Sequence, residues 1–237
     1  MRYFLVVSYD GSKFYGFQRQ NDKKSVQNEI EYNLTKLFGE KIEIKGAGRT
    51  DKGVHAQGQC LHFDSKREIN TRSLKNSLNH LLENIKVKKC KVVGDEFHSR
   101  FSVKKKHYKY TITFNSDEYN SDYMYFQKKL NIKKMKDASK LFLGVHNFQN
   151  FVSGTRDDYT CIIYKIKFTY FHKHLTIHFY GKSFYRYMVR NLVGALVDVG
   201  KGKADNNSII NLLNCEKTDK MLSTAPAKGL TLVKIYY

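Results

Sequence analysis

The stretch KIEIKGAGRTDKGVHAQGQCLHF, residues 41–63, sets a glycine-rich loop between two strand-like segments. Polar and apolar residues alternate over residues 41–45, and β-prone apolar residues are frequent over residues 57–63, so we predict a strand at each. The loop between them, residues 46–53, contains glycines, which permit positive φ and a close approach of the backbone to a ligand. The stretch therefore predicts a ligand-facing loop held by two strands.

A single carboxylate, that of Asp51, stands in this loop between two cations, Arg49 and Lys52. Positive neighbours favour the ionised form of a carboxylate, so we expect Asp51 to remain a charged nucleophile or base near neutral pH. An alternative stays open, in which Asp51 forms an Asx turn with its own backbone and Arg49 is only solvated. A dinucleotide site is not expected, because the glycines of that fingerprint lead directly into a helix.

Outward from the loop, the first half of the chain predicts further strands and two helices. The β-prone residues over 3–9 and 87–93 indicate strands. Ser25 is a typical N-cap, and Gly39 is a typical C-terminal glycine, for a helix between them. Thr71 is the predicted N-cap of a second helix, which carries a leucine stripe.

The second half of the chain repeats this mixture loosely. We predict a helix after the N-cap Asn131, a strongly apolar helix over residues 184–199 closed by Gly200, and a short helix over residues 208–213. Strands are expected over four further stretches: residues 107–114, 162–171, 175–180 and 230–236. Because strands and helices do not alternate regularly, we predict an α+β fold with a mainly antiparallel sheet, in two halves that meet near residues 103–107.

The composition is that of a folded, basic protein. Hydrophobic residues make up 41% and aromatic residues 14% of the 237 residues, which excludes global disorder. The formal net charge of +20 predicts a polyanionic partner or an anionic membrane surface, unless it reflects only a lysine-rich compositional bias. Basic residues interleaved with aromatic ones favour a nucleic acid as the partner, and they occur in three runs: residues 13–19, 104–110 and 182–190.

Other sequence features bear on compartment and on metals. No apolar run reaches the length of about 18 residues that a membrane helix needs, and Asp10 interrupts the apolar start, which indicates a first strand rather than a signal peptide. The cysteines stand far apart without a CxxC pair, so we expect reduced thiols in a cytoplasmic protein. His172 and His174 lack nearby cysteine or acidic ligands, and no metal site is predicted.

The glycine-rich loop also resembles the signature of a known family. GRTDKGVHAQGQ, residues 48–59, closely resembles the signature loop of the tRNA pseudouridine synthase A family. Four further motifs resemble motifs of that family and occur in the same order: SYDGSKFYGFQRQ (8–20), FHSRFSVKKKHYKY (97–110), SFYRYMVRNLVGALVDVGKGK (183–203) and APAKGLTLVKIYY (225–237). The resemblance therefore extends from near residue 8 to the last residue.

The resemblance implies an isomerase without a cofactor that converts uridine to pseudouridine in the anticodon stem-loop of tRNA, at tRNA positions 38–40. It implies the pseudouridine synthase fold, in which two ferredoxin-like, RRM-like α+β halves share an extended, mainly antiparallel sheet with a central catalytic cleft. The halves would be residues 1–104, with the catalytic aspartate loop, and residues 105–237, with the base-stacking tyrosine and the arginine helix. It also implies a cytoplasmic homodimer with tRNA as its partner and no membrane.

The same resemblance assigns roles to individual residues. Asp51 is the expected nucleophile, and Arg190 corresponds to the arginine that pairs with this carboxylate in the family. Arg49 belongs to the same motif as Asp51 and is expected to hold the loop and to contact the substrate. Tyr108 matches the tyrosine that packs on the target base, which must leave its stack to react. The remaining expected substrate contacts are Lys52, His55, Tyr110 and Arg186.

Some of these assignments carry alternatives. His55 can serve acid–base catalysis or a loop-stabilising hydrogen bond, and Tyr110 can be a core tyrosine of the sheet. The chain can also be a pseudouridine synthase for another RNA or for other tRNA sites, or a catalytically silent RNA-binding protein on the same fold. The intact loop around Asp51, together with Tyr108 and Arg190, argues against the silent protein.

Overall fold

The computed structural model describes residues 1–216 and 223–237. The chain divides into two compact units: unit 1 comprises Met1–Lys104 and Thr231–Tyr237, and unit 2 comprises Lys105–Leu230. Both units combine helices with strands that are mainly antiparallel, so the α+β class predicted from the sequence is confirmed.

The helices and strands follow one another irregularly along the chain. The first six are β1 (Arg2–Tyr9), α1 (Val26–Phe38), β2 (Lys45–Gly46), β3 (His55–Asp64), α2 (Thr71–Leu81) and β4 (Ile85–Val93). The next are β5 (Lys105–Thr113), β6 (Tyr125–Phe126), α3 (Ile132–Ser139), β7 (Gly144–Asn147), β8 (Thr160–Phe171) and β9 (His174–Gly181). The last are α4 (Met188–Gly200), α5 (Asn206–Leu213) and β10 (Leu230–Tyr236).

In unit 1 the strands lie in the order β4–β1–β3–β10. Strand β1 pairs antiparallel with both β3 and β4. Strand β10 runs parallel to β3, with Thr231 opposite His55. The short β2 pairs with the other end of β3, with Lys45 opposite His62. Strand β10, the last strand of the chain, therefore lies beside His55, the first residue of β3 after the glycine-rich loop.

In unit 2 the strands lie in the order β5–β9–β8–β7, and all three pairs are antiparallel. The short β6 adds to β5 as a parallel strand. Strands β8 and β9 form a hairpin, and its turn residues His172 and Lys173 have φ of 44° and 60°. Positive φ at both central residues is typical of a two-residue type I′ hairpin turn. This agrees with the tight turn expected between these strands.

Apolar helix faces are buried in the core of each unit. In unit 1 the fully buried apolar helix residues are Val26, Ile30, Leu34 and Phe38 of α1 and Leu74 and Leu78 of α2. In unit 2 almost every residue of α4 is buried. A helix that is apolar on all sides is enclosed by protein, so α4 lies inside the core of unit 2.

The predicted limits of α1 are confirmed. The Ser25 side chain accepts a hydrogen bond from Asn28 N at 3.2 Å, as an N-cap does. Gly39 ends the helix with φ of 65°, a left-handed conformation that glycine adopts without a side-chain clash. Ser25 and Gly39 thus fix the two ends of α1, which follows the SYDGSKFYGFQRQ segment after a short connection.

The strand predicted over residues 41–45 is wrong except at its end, where β2 begins. The main-chain N–H of Ile42 donates to Thr35 Oγ1 at 3.1 Å, and that of Ile44 donates to Glu31 Oε1 at 2.9 Å. These donors are satisfied by side chains of α1 instead of by a neighbouring strand. The alternating pattern arises because Ile42 and Ile44 are buried while their polar neighbours face solvent.

Two predicted helix starts also need correction. The N-cap of α2 is Asn70, whose side chain accepts from the N–H groups of the second and third helical residues, and Thr71 is the first helical residue. Helix α4 begins at Met188 and not at residue 184, because Tyr187 has φ of 62° and cannot continue a right-handed helix. The basic and aromatic residues before Met188 therefore lie in a loop.

The described residues contain no helix that is long and apolar enough to cross a membrane. The four cysteines all lie in the described part of the chain and are present as thiols. They are Cys60, Cys90, Cys161 and Cys215.

Candidate active site

Main-chain and side-chain hydrogen bonds tie the glycine-rich loop to its surroundings in unit 1. Ala47 N donates to Cys60 O at 2.8 Å, and Gln59 Nε2 donates to Gly48 O at 2.9 Å. The hydroxyl groups of Tyr9 and Thr50 are 2.8 Å apart in a buried contact. The loop is therefore held both by β3 and by the end of β1.

The segment after β1 packs closely against this loop. Phe17 N donates to Thr50 O at 3.0 Å. Gly16 has φ of +101°, and a Cβ there would come within 2.9 Å of the same Thr50 oxygen. At Gly11 a Cβ would lie 2.2 Å from Val54 O. Only glycine permits these approaches, which explains why both sequence segments carry glycines.

Asp51 lies half-buried within this tied loop. Its main-chain oxygen accepts from Val54 N at 3.1 Å, which closes the turn that follows it. The next residue but one, Gly53, has φ of 79° and so supplies the left-handed conformation of that turn. The carboxylate is thus carried by a backbone whose path is fixed on both sides.

The two cations beside Asp51 reach back to the segment after β1. Arg49 Nη1 donates to Gln18 Oε1 at 2.7 Å. The Lys52 ammonium lies 4.2 Å from the centroid of the Tyr15 ring, a cation–π distance. Both side chains are exposed, so they hold the loop at its surface and remain accessible to an anion.

His55 contributes a buried hydrogen bond to the same assembly. Its Nδ1 accepts from Gly11 N at 3.0 Å and lies 3.3 Å from Asp10 Oδ1. The side chain is 6% exposed. This geometry matches the loop-stabilising alternative for His55, since the imidazole joins the start of β3 to the turn after β1.

In unit 2, Tyr108 and Tyr110 lie two residues apart on β5 and are both buried. Tyr108 is 8% exposed, and its ring meets that of Phe184 edge to face with centroids 5.3 Å apart. Tyr110 is fully buried, and its hydroxyl donates to Pro226 O at 2.7 Å. Burial raises the pKa of Tyr110 well above its usual value. Tyr110 has the surroundings of a core tyrosine, the alternative that the sequence left open.

Arg190 is half-buried in the first turn of α4. Its Nε donates to Ala225 O at 2.8 Å, and its guanidinium lies 4.5 Å from the centroid of the Tyr187 ring. Arg186 is exposed, and its guanidinium lies 5.3 Å from the centroid of the same ring. Tyr187 thus orders both arginines, and the predicted pairing of Arg190 with a carboxylate stays a prediction.

A buried acid fixes the segment that holds Arg190. Asp198 is 6% exposed and accepts from Ser223 N at 2.8 Å and from Ser223 Oγ at 3.0 Å. Two residues on, Ala225 N donates to Arg190 O at 3.1 Å. The main chain around residue 225 is therefore bonded to α4 at two points, at Arg190 and at Asp198, about two helical turns apart.

The sequence reasoning missed several of these supporting residues. Gln18 and Tyr187 stood within the quoted motifs, but nothing in their spacing indicated contacts with Arg49 and Arg190. Asp198 carried a signal that could have been used, because a lone carboxylate in an apolar helix needs partners for its oxygens. Within the described residues, no group of three or more histidine, cysteine or acidic side chains could hold a metal ion.

Comparison with known proteins identifies the same family that the sequence motifs resemble, over nearly the whole chain. The family model described as tRNA pseudouridine synthase matches residues 5–102 and 138–237. A protein of Dictyoglomus turgidum named tRNA pseudouridine synthase A is 39% identical over 241 residues, covering 98% of each chain. A protein of Borrelia hermsii with the same name is 37% identical over 238 residues, covering 98% of this chain and 97% of its own.

Similarity to solved structures is weaker. The structure titled "Crystal structure of the archaeal box H/ACA sRNP Nop10-Cbf5 complex" contains a chain that matches 82% of this chain and 44% of its own length. The two are 10% identical with a TM-score of 0.38.

Proposed function

This chain belongs to the tRNA pseudouridine synthase family, and from that premise we propose that it isomerises uridine to pseudouridine on the 3′ side of the tRNA anticodon stem-loop, at positions 38–40. The observation that carries the proposal is the tied loop around Asp51. Its carboxylate stands on a backbone held by β1, β3 and the segment between them. Rigid support of this kind is what a nucleophile needs to meet one atom of a bound substrate.

The reaction breaks the C1′–N1 glycosidic bond, rotates the uracil and joins C1′ to C5. Over the whole reaction N1 gains a proton and C5 loses one, so no oxidant or reductant is consumed. A carboxylate suits this chemistry because it can attack a carbon centre and leave again. We assign that role to Asp51, with attack on the ribose C1′ or on the uracil ring left as two routes to the same product.

The two halves of the chain divide the work in this proposal. Residues 1–104 present Asp51, and residues 105–237 supply Tyr108 and Arg190. The target uridine must leave its stack before it can react, and a flipped base is held by stacking on side chains. We assign this role to Tyr108 of β5, whose ring is supported edge to face by Phe184.

The basic side chains bind the phosphates. Arg49, Lys52 and Arg186 are exposed, and each is oriented by a neighbouring side chain. Phosphate contacts position an RNA without reading its sequence, so the shape of the tRNA selects the uridine. His55 and Tyr110 act indirectly, as positioning residues of the loop and of the sheet.

We further propose that the enzyme is a cytoplasmic homodimer in which one tRNA contacts both subunits. This rests on the resemblance to the family. Sedimentation of the purified protein with and without tRNA tests it, and a monomer at every concentration that supports activity would contradict it.

Mapping of pseudouridine across total tRNA, from cells with and without this protein, tests the proposed function. We expect loss of pseudouridine at positions 38–40 alone. Loss at other tRNA positions, or in another RNA, would favour the broader synthase. Binding of tRNA by the purified wild-type protein without any pseudouridine formation would favour the silent RNA-binding protein.

A further inference from the structure

A second group of aromatic and basic side chains lies in unit 1, at the far end of β3 from the Asp51 loop. Strand β3 begins at His55 and reaches His62 seven residues later, a span of roughly 23 Å at about 3.3 Å per residue. A cavity of about 310 Å³ is found there, and its lining residues are Lys41, Glu43, Lys45, His62, Phe63 and Asp64. The proposed mechanism uses none of these residues.

His62 offers a hydrogen-bond donor at the cavity wall. Its side chain is almost completely buried, and its Nδ1 accepts from Ser99 N at 3.1 Å. Burial lowers the pKa of His62 to about 4, so the ring is neutral at pH 7 and its proton sits on Nε2. Within residues 1–216 and 223–237, both hydrogen bonds of the His62 ring are made by Nδ1 and none by Nε2.

A ladder of three rings leads from this cavity to the surface. The centroids of His62 and His98 are 4.6 Å apart, and those of His98 and Phe101 are 4.3 Å apart. Nδ1 of His98 accepts from Arg100 N at 3.1 Å, which fixes the middle ring. Phe101 is 76% exposed; its ring packs on His98, and the Arg100 guanidinium lies 5.8 Å from its centroid. An exposed aromatic ring held in this way is a stacking surface for a nucleobase.

The charges around the ladder favour a phosphate. Both carboxylates of the cavity are neutralised by ion pairs, one with Arg2 at 2.8 Å and one with Lys41 at 3.0 Å. Lys45 and Arg100 form no salt bridge within the part of the chain that the structure describes, although the pKa of Glu43, lowered mainly by the hydrogen bond from Lys41, is also lowered by the charge of Lys45. Cations beside an exposed aromatic ring are typical of sites for unpaired nucleic acid.

We propose that these residues form a second nucleotide subsite, the Phe101 subsite, for an unpaired segment of the tRNA. One base stacks on Phe101 with its phosphate toward Arg100 and Lys45, and the adjoining nucleotide enters the cavity, where His62 Nε2 donates to a base carbonyl. The inference rests on the proposed function, because it takes the tRNA substrate as the ligand. It gives the enzyme a means to recognise tRNA shape at a distance from the reacting uridine.

The test compares Phe101→Ala with Tyr32→Ala, each measured as the Kd for unmodified tRNA by the purified full-length chain. Tyr32 is also an exposed aromatic of unit 1, at 60%, with the Lys36 ammonium 4.4 Å from its ring, and it does not line the cavity beside His62. We expect Phe101→Ala to weaken tRNA binding about tenfold, the usual scale for one stacked base. Tyr32→Ala should bind tRNA as the wild type does.

A second variant separates the hydrogen bond from the stacking. His62→Asn keeps an acceptor near Ser99 and removes the Nε2 donor, and we expect about a fivefold weaker tRNA affinity from the lost donor. Crosslinking of wild-type protein to tRNA with ultraviolet light should place a nucleotide on the peptide that contains Phe101. Melting curves of each variant show whether it is folded.

The outcomes separate this inference from the proposed function. Wild-type activity with a tRNA affinity that does not depend on Phe101 overturns the subsite and leaves the synthase standing. A change in self-association without tRNA, seen by sedimentation of Phe101→Ala, would assign the surface to a protein interface and also overturn the subsite. An affinity that depends on Phe101 in a protein that forms no pseudouridine overturns the synthase and leaves the subsite standing.

Discussion

At the scale of single residues, Arg190 is fixed by groups that only a guanidinium can engage together. Its Nε bonds to Ala225 O while its planar group lies against the Tyr187 ring. A lysine would keep the charge but could not make both contacts in this geometry. The planar shape of the Arg190 guanidinium, and not only its charge, is therefore needed for both contacts.

Arg190→Lys should lower kcat/KM for tRNA by about 10- to 100-fold, the usual effect of losing a charged hydrogen bond. Single-turnover kinetics with unmodified tRNA measures it. Arg156→Lys is the matched control, because Arg156 is exposed and its guanidinium lies 4.2 Å from the Tyr185 ring. Equal rates for the two variants would show that Arg190 has no special part in the reaction.

Tyr110→Phe distinguishes a core tyrosine from a substrate contact. The variant leaves Pro226 O without its buried donor, so we expect the free energy of unfolding to fall by about 1–2 kcal/mol. The measurement is chemical denaturation, alongside pseudouridine formation at saturating tRNA. A large loss of activity with unchanged stability would return Tyr110 to the substrate-binding residues.

The sequence indicates candidate reacting groups more readily than it indicates the side chains that support them. Asp51, Arg49 and Tyr108 stand in motifs whose residue types already indicate chemistry. Gln18 and Tyr187 gave no such signal, because a side chain that orients another is recognised only when the distance between the two is known.

At the scale of elements, Gly16 is the residue on which the fit between two segments depends. Its φ of +101° and the 2.9 Å approach of a Cβ to Thr50 O both exclude a side chain. Thr50 immediately precedes Asp51. A displacement of the Thr50 main chain would therefore also move the Asp51 carboxylate.

Gly16→Ala should therefore reduce pseudouridine formation by at least about tenfold, because even an ångström of misplacement is costly in a reacting geometry. Gly202→Ala is the control: Gly202 also has positive φ, +72°, but a Cβ there meets nothing within 4 Å. We expect that control to lose only about 1 kcal/mol of stability and to keep its activity. Similar activity in both variants would contradict the role of Gly16.

Helix and strand limits were predictable where local signals set them. Ser25 and Gly39 define α1 through their own side-chain and backbone chemistry. The prediction failed over residues 41–45 and at the start of α4. In the first case main-chain N–H groups donate to side chains of α1 instead of to a neighbouring strand. In the second case the left-handed conformation of Tyr187 delays the start of the helix. Neither effect leaves a periodic pattern in the sequence.

At the scale of the whole molecule, two neutral histidines make stability depend on pH. Burial is the main cause that lowers the pKa values of His62 and His107 to about 4, whereas both titrate near 6.5 in the unfolded chain. The unfolded state thus binds protons first as the pH falls. The stabilisation is complete above about pH 6.5 and is lost progressively toward pH 4.

We expect the free energy of unfolding to decrease between pH 7 and pH 5, a range in which unfolded carboxylates are still largely ionised. Denaturation at both pH values measures it. A variant carrying His62→Asn and His107→Asn should show a smaller decrease than the wild type. An equal decrease in both proteins would mean that other groups cause the pH dependence.

The most direct test of the account is single-turnover pseudouridine formation by Asp51→Asn, together with its Kd for tRNA. The change removes the charge and the nucleophile while keeping the shape, so we expect the rate to fall by at least about 1,000-fold. The Kd should stay within about threefold of the wild type. Asp157→Asn, at an exposed carboxylate outside the loop, should retain full activity. Formation of pseudouridine by Asp51→Asn at a rate near that of the wild type would contradict the assignment of Asp51 as the nucleophile.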